Sequence, residues 1–87
     1  MRKIITAEQE FEALHFLDLT LTKRFEEKGR HACASIHEVL GVVDEEHYEL
    51  TEAVQSNDHE KVIAELTDLA VACLWGIASI KNNHIDW

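Results

Sequence analysis

Apolar side chains recur at three- and four-residue steps along three stretches of the chain, and each stretch follows a helix-starting signal. Phe11, Leu14, Leu17, Leu21 and Phe25 form the first series, with Thr6 and Gln9 before it and Gly29 after it. A hydroxyl residue three positions ahead of a glutamine is a capping box, and glycine is a common residue just past a helix end, so one amphipathic helix is expected between them. Ile36, Val39, Leu40, Val43, His47, Leu50 and Val54 trace one face of a second helix behind a Ser35–Glu38 box. Val62, Ile63, Leu66, Leu69, Cys73, Ile77 and Ile80 mark a third behind an Asn57–Glu60 box. The expected fold class is all-α, three helices in a single domain spanning 1–87, since a second core would need roughly 50 residues of its own. The last segment, "KNNHIDW", reads as a frayed end or a docking tail.

The third helix is apolar on more than one side. Leu66, Leu69, Cys73 and Ile77 share one face, while Ala64, Val71, Trp75 and Ala78 lie roughly opposite. A helix apolar all round should be buried on both sides, and two other helices from so short a chain hardly cover it. The expectation is an isologous homodimer built across the second face and completing a larger bundle. The alternative is that Trp75 packs under the first helix or the tail.

Charge narrows the function classes. Seventeen acidic against eight basic residues give a formal charge of −9, which disfavours duplex nucleic acid and anionic membrane as partners. It leaves room for a small phosphorylated ligand bridged by a divalent cation. The chain start turns acidic too soon for a signal peptide, and the apolar run over residues 69–80 falls short of the roughly 20 residues a bilayer span needs. Cys33 and Cys73 have no metal-type spacing and read as reduced thiols, which suggests a cytoplasmic protein.

The carboxylates carry the functional signal. Around a hairpin centred on Asn57, Glu49 and Glu65 lie eight residues to either side, and Glu46 and Asp68 eleven. At about 1.5 Å rise per residue, each pair stands at one height on two antiparallel helices, roughly 12 and 16 Å from the turn. Within each helix the acids are three apart and share a face. Their helical directions place Glu46 and Glu49 to one side of the second helix's apolar centre, with Glu65, Asp68, Lys61 and Ala72 flanking that of the third. Such acids often form an ordinary solvated face. Four gathered together would repel one another, and Lys61 is the only lysine or arginine between residues 31 and 80. A hard divalent cation is the natural counter-charge, magnesium or alternatively manganese. Other candidates are weaker. Glu12 and His15 make one Glu-x-x-His step where di-iron bundles need two. His47 points to the apolar face as a core histidine. His31, His37, His59 and His84 follow no ligand spacing, and Cys33 lacks an organised base.

"EEHYEL" followed by "AELTDLAVACL" resembles the paired Glu-x-x-Glu and Glu-x-x-Asp motif of the all-α, MazG-like nucleoside triphosphate pyrophosphohydrolases, over roughly residues 36–80. The resemblance implies that Glu46, Glu49, Glu65 and Asp68 bind Mg2+, which holds the triphosphate of a nucleotide. Water then attacks the α–β linkage, releasing a nucleoside monophosphate and pyrophosphate. Glu45 matches an extra glutamate that helps activate the water in some relatives, although its helical direction lies at the edge of the acidic stripe. Relatives assemble as dimers or tetramers. The chain departs from them where they carry further polar or basic residues on the last helix, for its own stretch is "CLWGIASI". Lys81, Asn82 and Asn83, or Lys23, Arg24, Lys28 and Arg30 around the first helix's end, are the available substitutes. The alternative function is a non-catalytic helical binding or assembly module whose acidic cluster is vestigial or holds only a metal.

Overall fold

The computed structural model describes residues 1–87 as three helices, α1 (Ala7–Lys28), α2 (Ile36–Ser56) and α3 (His59–Lys81), with no strand. The fold is all-α, and the chain divides into two compact units, Met1–Arg30 and His31–Trp87.

The first unit is α1 with its leading residues. Thr6 caps it in extended conformation, its hydroxyl accepting from the Gln9 N–H at 3.1 Å while the Gln9 side chain accepts from the Thr6 N–H at 3.0 Å. Two of the helix's orphan donors are thereby satisfied. At the other end Gly29, at φ 86°, donates its N–H to Phe25 O, a backbone conformation that glycine adopts without a Cβ penalty. The Arg30 guanidinium lies 4.5 Å from the centre of the Phe25 ring.

The second unit is an antiparallel helix hairpin. Asn57 ends α2 in the left-handed region (φ 58°, ψ 28°), and its N–H reaches Val54 O. The cap of α3 is Asp58, whose carboxylate accepts from the Glu60 and Lys61 N–H groups. The Asn57–Glu60 box expected there is therefore displaced by one residue. Asparagine tolerates the left-handed conformation that stops α2, which leaves the adjacent aspartate to receive the free N–H groups of α3.

The buried stripes also differ from the expected faces. On α2 the shielded positions are Val39, Val43, Glu46, Glu49, Leu50 and Ala53, while Leu40, His47 and Val54 are exposed. His47 is consequently no core histidine. On α3 they include Val62, Glu65, Leu69, Ala72, Gly76 and Ser79, with Leu66, Cys73, Ile77 and Ile80 left exposed. Small residues let the two backbones approach closely. A Cβ built on Gly76 would lie 2.7 Å from Val39 Cγ1.

The open end of the hairpin is tied by the segments that flank it. Buried Ser79 accepts from the Cys33 N–H at 3.0 Å and donates to Trp75 O, and the Trp75 indole N–H donates to His31 O. The tail docks: the Asp86 N–H reaches Ala34 O, the Ile36 N–H reaches Trp87 O, and the Trp87 ring lies 5.0 Å from His37. Trp75, expected on a dimer face or under another segment, thus serves the hairpin's own lead-in. By length and composition α3 is long and apolar enough to cross a bilayer. That exceeds what the run over residues 69–80 suggests, although core helices that never meet lipid pass the same criterion.

Candidate metal centre

The two-residue link between α2 and α3 keeps positions equidistant from the turn at nearly equal heights. It brings Glu46 and Glu49, one turn apart on α2, against Glu65 of α3. One carboxylate oxygen from each lies within 4.8 Å of the others, and all three side chains are half-buried. Glu46 Oε2 is shut off from solvent and accepts no hydrogen bond. Buried acceptors are rarely left so, because the lost hydration is not replaced. The Glu46 carboxyl is held above its ordinary range first by burial and then by the charges of Glu49, Asp68, Glu65 and Glu45.

Asp68 stands one turn beyond Glu65, half-buried and close enough for its charge to act on Glu46, but outside the converging trio. Glu45 is exposed at the margin, and its effect on Glu46 is the weakest of the four. A cluster of hard, anionic oxygens with an unsatisfied acceptor fits a magnesium- or manganese-type ion.

Beside the trio, on its turn side, opens a pocket of about 250 Å³ lined by Glu49, Glu52, Ala53, Ser56, Lys61 and Glu65. Glu52 and Ser56 are additions to the acids read from the motif. The four-residue steps from Glu49 to Ala53, Glu52 to Ser56 and Lys61 to Glu65 are the signal that could have found this wall.

None of the other basic and polar candidates lines this pocket. Lys81 is in the last turn of α3, thirteen residues past Asp68, or about 20 Å along the helix axis. The Asn82 side chain donates to Ala78 O and closes the helix. Lys23, Arg24, Lys28 and Arg30 belong to the other unit. All six histidines are exposed and none joins a group of three ligand-type side chains, and neither does Glu12. Cys33 is buried, Cys73 exposed, and both are free thiols.

The family model for the MazG nucleotide pyrophosphohydrolase domain matches residues 34–86, more than half of the chain. The chain belongs to the MazG family. No curated protein and no solved structure matches it. The MazG match spans the hairpin, most of its tail and all five acids of the motif, while α1 lies outside it. MazG domains generally depend on a divalent metal, and in this one the acidic cluster between α2 and α3 offers the donors for it.

Proposed function

We propose that the protein is a Mg2+-dependent nucleoside triphosphate pyrophosphohydrolase that adds water across the α–β anhydride, giving a nucleoside monophosphate and pyrophosphate. The observation that carries this reading is the meeting of the Glu46, Glu49 and Glu65 oxygens around an acceptor with no partner, within a MazG domain. Glu46, Glu49, Glu65 and Asp68 would hold the ion, manganese being the alternative. When bound, it supplies counter-charge to the phosphates and acidity to a water. The carboxylates themselves fix that counter-charge between two helices and, by their own excess charge, keep unbridged anions out. Glu45, exposed beside the cluster, is the residue we assign to take a proton from water.

The protein works as a homodimer or homotetramer in the cytoplasm. Ile63, Leu66, Ile77 and Ile80 leave α3 with a run of apolar residues, each about half exposed, which a second copy would cover. A monomer in sedimentation at micromolar concentration counts against assembly. The second reading, a non-catalytic binding or assembly module, is favoured by the apolar outer end of α3, which offers few groups to a nucleotide.

The deciding experiment measures pyrophosphate release from a panel of nucleoside triphosphates with magnesium or manganese, beside Asp68→Ala. Metal-dependent release that vanishes in the variant, with helicity unchanged, is expected. A folded, metal-binding protein that releases none moves the assignment to the second reading.

A further inference from the structure

The pocket beside the acidic trio has a direction. Its lining includes Glu49 and Glu65 but neither Glu46 nor Asp68, and it runs towards the hairpin link, where Ser56 and Lys61 complete it. Three of its six lining residues are acids and only one is basic. The Ser56 hydroxyl donates to Ala53 O at 2.7 Å, so its proton is already engaged. Lys61 is thus the one cationic donor in the wall, a single helical turn before Glu65. The size is informative as well. About 250 Å³ is below the roughly 300–1,000 Å³ of pockets that enclose whole small molecules. It suits a phosphate group or two, with the rest of a nucleotide outside.

We propose that Lys61 binds the terminal phosphates of the substrate, and then the pyrophosphate product, in the pocket between the acidic trio and the α2–α3 link. This rests on the pyrophosphohydrolase reading and adds an orientation to it: the β- and γ-phosphates point to the turn and the nucleoside points away from it.

The test measures binding of inorganic pyrophosphate, with magnesium, by calorimetry to the full chain and to Lys61→Gln and Lys61→Arg, and measures turnover of each. A hydrogen bond to a charged partner corresponds to roughly a tenfold or larger effect on affinity. Lys61→Gln should weaken pyrophosphate binding by about that factor and raise KM more than it lowers kcat, while Lys61→Arg recovers most of both. Magnesium binding without pyrophosphate should be unchanged or tighter in Lys61→Gln, because a cation has been removed from beside the acids. Equal pyrophosphate affinity in wild type and Lys61→Gln overturns the proposal, as does a wild type that binds no pyrophosphate. A wild type that binds pyrophosphate through Lys61 but turns over no triphosphate supports the phosphate site and removes the enzymatic reading.

Discussion

Gly76 and Gly41 are both interior helix glycines, yet alanine should act in opposite directions at the two. A Cβ on Gly76 would stand 2.7 Å from Val39 Cγ1 and 3.5 Å from Val39 Cγ2, whereas carbon atoms in contact settle at about 3.5–4.0 Å. One partner must therefore retreat by roughly 1 Å. Valine on a helix has essentially one χ1 well, so the shift falls on the α2–α3 spacing. Overpacking of this kind costs about 1–3 kcal/mol, offset by about 1 kcal/mol of helix propensity gained over glycine. Gly76→Ala should thus lose about 0–2 kcal/mol. Nothing lies within 4 Å of a Cβ on Gly41, so Gly41→Ala should gain about 1 kcal/mol. Propensity cancels in the comparison, leaving a gap of about 1–3 kcal/mol, or roughly 4–8 °C in Tm for each kcal/mol. Urea unfolding followed by far-ultraviolet circular dichroism at one fixed protomer concentration measures the gap. Val39→Ala should narrow it when combined with Gly76→Ala. Two alanine variants of equal stability would refute the close-approach argument.

Two further perturbations probe the middle and the open end of the hairpin. Glu46 has a raised folded-state pKa, so its favourable contribution is complete below its ordinary value of 4.5 and is lost as pH rises through the raised value. In chelator, Glu46→Gln should therefore be more stable than wild type at neutral pH, and the difference should close as pH falls below 4.5. A difference independent of pH in denaturation curves would contradict the cause assigned to the shift. Ser79→Ala removes the acceptor of the buried Cys33 N–H and should cost about 1–3 kcal/mol. Faster hydrogen exchange at Cys33, with metal affinity retained, is the signature to seek.

Helix positions were legible because their punctuation is local. The Thr6–Gln9 box, the Gly29 stop and the Ser35 cap appear where three- and four-residue spacing places them. The third cap moved to Asp58 because Asn57 was needed for the left-handed stop, a choice between neighbouring residues that spacing alone does not resolve. The faces were harder to read. Leu40, Val54, Leu66 and Ile77 pull an apolar centroid towards themselves, but the hairpin closes along Ala53, Ala72, Gly76 and Ser79, where backbones can come near. That rotation is why Glu46 and Glu65, expected beside the apolar centre, lie in the shielded stripe. The Glu49–Glu65 pairing follows from equal distances to the turn, but the convergence of Glu46 with Glu65, in place of its equidistant partner Asp68, does not. Nor does the pocket, since its wall depends on where the shorter side chains leave space.

The shortness of the Asn57–Asp58 link bears on how the molecule folds. Every carboxylate of the cluster belongs to one stretch of chain from Glu45 to Asp68, so the closure entropy is that of a small loop and the contact order is low. Assembly should be quick up to the point where the helices meet. There the acids begin to repel, a barrier absent from either helix alone. Refolding rates should consequently rise with divalent-cation concentration even if the unfolded chain binds none, provided that the hairpin is already closed in the transition state.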